Sequence, residues 1–306
     1  MHNLTQNREL ADLLFPDIGK TPEYYEMLYP KRQLNEGAKV TRFAPSPTGY
    51  VHMGSLYASL VSERLAHQSN GVFFLRVEDT DKKREVEGGV SNIVRALSRF
   101  GISFDEGVTD VDDEKGSYGP YKQSERMEIY KAFAKRLVEK GLAYPCFCSE
   151  EDLDKIRAQQ EEKKETPGYY GEYAVHRNFS LEQVKEELSR GKPFVLRVKA
   201  PNNPDSRFVF KDLIKGDVEM PENFQDIVLL KSDGLPTYHF AHVVDDHLMR
   251  TTHVIRGDEW LSSAPLHVQL FEMFEWEKPY FAHISPIMKI EGSSKRKLSK
   301  RKDPEA

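Results

Sequence analysis

The order in which hydrophobic patterns follow one another between residues 39 and 100 constrains this chain most. Lys39–Ala44 (KVTRFA) alternates as a strand does, a Pro/Gly turn follows at Pro45–Gly49, and Met53–His67 has helical periodicity. A second strand is expected at Val72–Val77 and a second helix at Glu85–Phe100. Strand, turn, helix, strand, helix is the order of a parallel α/β sheet, because parallel neighbours need a crossover element between them. With 306 residues, 39% of them apolar, the chain can bury a substantial core around such a sheet.

Residues 1–38 read as a peripheral extension, with a short helical pattern at Glu9–Leu14 and a tyrosine-rich stretch ending at Pro30. Residues 39–116 form the first half of the sheet domain. Residues 117–224 read as an insertion with its own small fold: helices at Ser124–Gly141 and Ser149–Lys164, then short antiparallel strands at Phe194–Lys199 and Arg207–Leu213. In 225–290 the parallel sheet is expected to resume, with strands near Ile227–Lys231, His253–Ile255 and Ala282–Pro286 around a helix at Ser262–Phe274. The last segment, 291–306, is basic: six of the eight residues 295–302 are Lys or Arg.

A formal net charge of −5 gives no global attraction to nucleic acid, so a polyanion would have to be met by that local patch. No apolar run approaches the roughly 20 residues that span a bilayer, and MHNLTQNRELADLLF lacks a signal-peptide pattern. Cys146 and Cys148 are too close in sequence to staple distant segments. The expectation is a reducing, cytoplasmic setting, no membrane partner and a monomer.

The stretch RFAPSPTGYVHMGS, Arg42–Ser55, runs from a strand into a helix. Pro45, Pro47 and Gly49 fix an extended turn, and Gly54 lets a phosphate approach outward-pointing helix N-terminal amides, with His52 beside it. A histidine at a helix start is by itself more often a structural cap. APSPTG followed by HMGS resembles the ATP-binding signature of class I aminoacyl-tRNA synthetases, specifically the glutamyl-tRNA synthetase family. KLSKR (Lys297–Arg301) is similar to that class's lysine loop. VEDTD, GPYKQSER, LPTYHFAHVVDDHLM and VIRGDEW also resemble the family's segments, in the family's order, from about residue 39 onward.

The resemblance implies a Rossmann-like catalytic domain carrying a tRNA acceptor-binding insertion. It implies activation of L-glutamate by ATP and Mg²⁺ to glutamyl-adenylate, with transfer to tRNA(Glu). His52, Gly54, Lys297 and Lys300 would act on the phosphates, with Thr48, Glu259 and Trp260 completing the ATP site. Arg42, Ala44, Ser46, Glu78, Tyr238, His242 and Arg256 would bind glutamate, the arginines through its carboxylates and Glu78 through its ammonium. It further implies that tRNA must be bound before glutamate is activated efficiently.

Two departures from the family's pattern stand out. His242 replaces the asparagine typical of bacterial members, which could alter a pocket contact or make it pH-sensitive. Some relatives carry C-x-C followed by C-x-H; here Cys146 and Cys148 are followed at that spacing by Tyr173, with His176 nearby. Tyrosine is rare in tetrahedral zinc sites, so reduced, buried thiols and no metal are expected. Glutaminyl-tRNA synthetase usually begins its signature P-P-E-P, unlike Ala44–Pro47. A paralogue that glutamylates queuosine in tRNA would match the length, but an end five residues after Arg301 reads as a segment of a longer enzyme lacking its anticodon-binding domain.

Overall fold

The computed structural model describes residues 4–48, 51–81, 84–292, 294–298 and 303. Along the chain run α1 (Leu4–Leu14), α2 (Pro22–Leu28), β1 (Val40–Phe43), α3 (Met53–Gln68), β2 (Val72–Leu75), α4 (Gly89–Arg99), β3 (Glu106–Asp110), β4 (Asp113–Lys115) and α5 (Met127–Glu139). There follow β5 (Ala143–Cys146), α6 (Glu150–Lys163), α7 (Leu181–Ser189), β6 (Val195–Val198), β7 (Arg207–Asp212), β8 (Gly216–Pro221) and β9 (Val228–Leu230). The last elements are α8 (Tyr238–Leu248), β10 (His253–Gly257), α9 (Ala264–Met273), β11 (Tyr280–Ile284), β12 (Met288–Glu291) and β13 (Ser294–Lys297).

β1, β2 and β3 pair in parallel, as do β10 and β11. The two sets meet at Thr252: the Val40 amide donates to its hydroxyl at 2.8 Å and its own amide donates to the Val40 carbonyl at 2.9 Å. The spatial order β3-β2-β1-β10-β11 reverses between β1 and β10. Ligands of open α/β sheets bind in the crevice beyond the strand ends at such a reversal. Strands covered on both faces must be apolar throughout, and VFFL of β2 is. Phe73 and Leu75 pack with Leu56, Ile93 and Leu97 of α3 and α4, while Phe74 faces the larger core of α5, α8 and α9.

The α/β expectation therefore holds, with three local differences. Ile227–Lys231 does not resume the parallel sheet: β9 pairs antiparallel with β6, which pairs with β5, forming the insertion's three-stranded sheet. A short, wholly apolar run fits the interior of either sheet, so periodicity could not choose. Conversely, the β7–β8 hairpin leaves that unit, and β7 pairs in parallel with β11 through Asp212 and Phe281. The helix expected from Glu85 starts at Gly89, where a Cβ would lie 2.7 Å from the Pro47 carbonyl oxygen. That closeness ties α4 to the turn after β1.

Helices α2 and α8 were not expected. Thr21 caps the first, its hydroxyl accepting from the Tyr24 amide. In α8 the acids Asp245 and Asp246 are buried together with Phe240, Ala241, Val243, Val244 and Leu248. α1 and α2 lie on α5, so the extension packs on the domain's core.

Candidate active site

A cleft of ≈ 970 Å³ opens at the β1/β10 reversal. Its walls include Arg42, Ala44, Ser46, Thr48, His52, Gly54 and Glu78 from the first half, and Tyr238, Arg256, Glu259, Trp260 and Lys297 from the second. Twelve residues singled out in distant segments thus share one cavity. His242 lies beneath it, fully buried. Lys300, the remaining one, lies outside the described residues, as do Gly49 and Arg301.

His52 caps α3: Nδ1 accepts from the Ser55 amide at 3.2 Å and Nε2 lies 3.1 Å from Ser55 Oγ. Its ring folds over Gly54, where a Cβ would meet it at 3.1 Å, so any side chain there would push the capping ring aside by a few tenths of an ångström. The capping reading and the phosphate reading of His52 are compatible, since the ring sits at the positive end of the helix that faces the cleft. Across the cleft, β12 and β13 form a hairpin that delivers Lys297, whose Nζ lies 3.5 Å from Glu259 Oε2. Arg296, counted in the basic run, is occupied with Glu291 and Asp303.

The floor is a buried charge network. Asp246 on α8 accepts from Arg42 Nε at 3.2 Å and from Arg76 Nη1 at 2.8 Å, and Arg76 Nη2 reaches Glu78 at 3.1 Å. Asp245 accepts from Arg126 Nε at 2.7 Å, Gln123 Nε2 at 2.8 Å and Tyr130 at 2.8 Å. Burial pushes Asp246 up, but Arg42 and Arg76 together outweigh it and hold the group below the usual carboxylate range. For Glu78 burial wins over both arginines and raises it to about 7. A ligand ammonium beside Glu78 would favour the carboxylate and reverse that shift.

Arg256 is anchored differently: Nε donates to His283 Nε2 at 2.9 Å and Nη1 lies 3.0 Å from His267 Nδ1. His242 meets Arg42 Nη2 through Nδ1 at 3.3 Å. Burial, then the neighbouring arginines, keep it well below the ordinary histidine value, so it stays neutral near pH 7. Sequence reading missed Asp246, Arg76, His267 and His283 because they touch the cleft's residues and not its opening. The one signal was the DD pair inside an apolar helical run.

Away from the cleft, Cys146 Sγ, Cys148 Sγ and a ring nitrogen of His176 lie within 4.8 Å of one another. The phenol beside them belongs to Tyr169, 3.3 Å from Cys146 Sγ and 3.4 Å from His176 Nδ1. Tyr173, proposed from spacing, instead donates to Glu165 at 2.5 Å. Two thiols and an imidazole around one point are donors that suit Zn²⁺, contrary to the expectation of metal-free thiols, with the phenol as the unusual fourth group.

No described helix is long and apolar enough to cross a membrane. Residues 39–306 match the family model described as tRNA synthetases class I (E and Q), catalytic domain. The chain is 59% identical over 297 residues to the glutamate–tRNA ligase of Clostridium perfringens (strain 13 / Type A), covering 97% of this chain and 54% of that protein. It is 58% identical over 299 residues to that of Acetivibrio thermocellus, covering 97% and 55%. A crystal structure of a glutamate tRNA ligase from Elizabethkingia meningosepticum in complex with its amino acid superposes with a TM-score of 0.78 at 41% identity, covering 86% of this chain and 52% of that one. The chain thus spans about half the length of these relatives.

Proposed function

The chain belongs to the class I tRNA synthetases of the glutamate and glutamine type, and from that premise we propose that its cleft activates L-glutamate with ATP for transfer to tRNA(Glu). The observation that carries this reading is the convergence of Arg42, Glu78 and Arg256 with His52 and Lys297 on one cavity at the sheet's reversal point. Two guanidiniums and a carboxylate complement a substrate with two carboxylates and one ammonium. A capped helix N-terminus and a lysine complement a polyphosphate.

In the reaction a glutamate carboxylate oxygen attacks the α-phosphorus of ATP in line and pyrophosphate leaves. The chain's contribution is to position two anions that repel each other and to stabilise the charge that builds on the leaving group. Arg42 and Arg256 hold the amino acid, and Glu78 takes its ammonium. The α3 N-terminus with His52 and Gly54 faces the α-phosphate. Lys297 and Lys300 would meet the departing phosphates, Thr48, Glu259 and Trp260 would hold the nucleotide, and Mg²⁺ bound with it would supply further positive charge to the phosphates. The unit built on β5, β6 and β9 would carry the tRNA acceptor end, inserted between the halves of the catalytic sheet, with the β7–β8 hairpin returning to β11. Cys146, Cys148, His176 and Tyr169 would hold a structural Zn²⁺ within that insertion.

Trapping with hydroxylamine tests the reading, since an acyl-adenylate is converted to a hydroxamate. Glutamyl hydroxamate should form with ATP, Mg²⁺, glutamate and tRNA(Glu) together. Lys300→Ala should lower its rate with little change in glutamate affinity, and Arg256→Ala should weaken glutamate binding. Hydroxamate from glutamine and none from glutamate would overturn the assignment.

A further inference from the structure

Three buried arginines around the cleft have carboxylate partners: Arg42 and Arg76 share Asp246, and Arg126 has Asp245. Arg256, 6% exposed, forms no ion pair among the described residues. Its Nε and Nη1 go to two imidazoles, and its Nη2 is buried without a hydrogen-bond partner. Its guanidinium lies 5.2 Å from the Phe281 ring centroid. A guanidinium stripped of water without a counter-charge is costly to hold, and the cleft is where a counter-charge could arrive.

The imidazoles are arranged to stay neutral acceptors. Asp212 Oδ2 lies 2.6 Å from His283 Nδ1 and Asp212 Oδ1 also accepts from the amides of Ile214 and Lys215. Asp212 therefore keeps the proton on His283 Nδ1 and leaves the Nε2 lone pair for Arg256. On the other side, Arg256 Nη1 can only donate, so His267 Nδ1 accepts and the ring's proton sits on Nε2, which donates to His239 Nδ1 at 3.0 Å. Burial, and after it nearby charged and imidazole groups, hold His267 well below its ordinary value, and burial and Arg256 bring His239 to about 4. The placement of the β7–β8 hairpin against β11, unexpected from sequence, is what brings Asp212 to His283.

Resting on the reading of the cleft as a glutamate site, we infer that Arg256 is gripped by imidazoles instead of carboxylates so that its charge remains for the substrate's side-chain carboxylate. His267 and His283 are then positioning residues that set the preference for the acid over its amide. A carboxylate in their place would grip Arg256 equally well and cancel the charge. Glutamine, lacking the negative charge, would leave the buried cation uncompensated, and sites built around a charged partner reject such analogues strongly.

The test is the dissociation constants of L-glutamate and L-glutamine for this chain, from ligand-detected NMR titrations of wild type, His267→Gln and His267→Glu. Wild type should prefer glutamate. H267Q, a neutral acceptor, should stay within about threefold of it for both ligands. H267E should weaken glutamate by about 30-fold or more while leaving glutamine within about threefold, so the preference collapses. If H267E does not fold, His283→Glu combined with Asp212→Asn places the same charge on the other side of the guanidinium without a second carboxylate beside it, and carries the same expectation. Equal losses for both ligands, a glutamate preference surviving the glutamate substitution, or H267Q as impaired as H267E would each overturn the inference. A wild-type chain that binds no glutamate overturns the functional reading itself, and this inference with it.

Discussion

Asp246→Asn probes the network beneath the cleft without changing its shape. The wild-type carboxylate, 1% exposed, sits between Arg42 Nε at 3.2 Å and Arg76 Nη1 at 2.8 Å, and Thr251 Oγ1 donates to it at 3.3 Å. Arg76 keeps Glu78 at 3.1 Å and Asp245 at 3.8 Å, but Arg42 retains only His242 Nδ1 at 3.3 Å. One buried guanidinium, Arg42, is left nearly unbalanced, while Arg76 still has two acids beside it. Removing a partner from a buried pair costs about 3–5 kcal/mol, and an amide oxygen that still accepts places this case near 3 kcal/mol. At about 2.1 cal/mol/K of unfolding entropy per residue, a chain of 306 residues would lose about 5 °C in Tm by calorimetry. Because Arg42 would also lose its fixed orientation, the KM for glutamate should rise more than kcat falls. A Tm within about 1 °C of wild type, roughly 0.6 kcal/mol or less by the same scale, would refute the network's role.

Glu78, raised to about 7 by burial, gives a pH dependence with a definite sign. Its protonated form contributes stability that is fully present below about pH 4.5 and lost as pH rises through 7. Binding runs the other way: the KM for glutamate should rise as pH falls below about 7, and Glu78→Gln should flatten that limb of the profile at a higher KM. Protein purified without chelator should carry about one zinc per chain by elemental analysis. Cys148→Ser should lose the metal, whereas Tyr173→Phe should keep it, since Tyr173 faces Glu165.

The parallel α/β pattern, the turn leading into a helix at His52 and the residues lining the cleft were legible because each leaves a local mark: period-two runs, a Pro/Gly turn, a motif at a strand end. The insertion's edges were not, because VLL of β9 and the FVF of β7 read alike while one joins the antiparallel sheet and the other the parallel one. Residues gripping Arg42 and Arg256 were hidden for a related reason. Asp246, His267 and His283 come from α8, α9 and β11, and only folding aligns them. Tyr169 displaced Tyr173 beside the cysteines because the short helical turn at Gly171–Tyr173 directs the two phenols to different partners.

The central claim is that the cleft makes glutamyl-adenylate, and exchange of labelled pyrophosphate into ATP tests it most directly. With Mg²⁺ and tRNA(Glu), exchange should depend on L-glutamate, should be weak with L-glutamine, and should fall sharply when tRNA is omitted. Exchange supported by glutamine and not by glutamate would contradict the substrate assignment, and vigorous exchange without tRNA would contradict the proposed dependence on it.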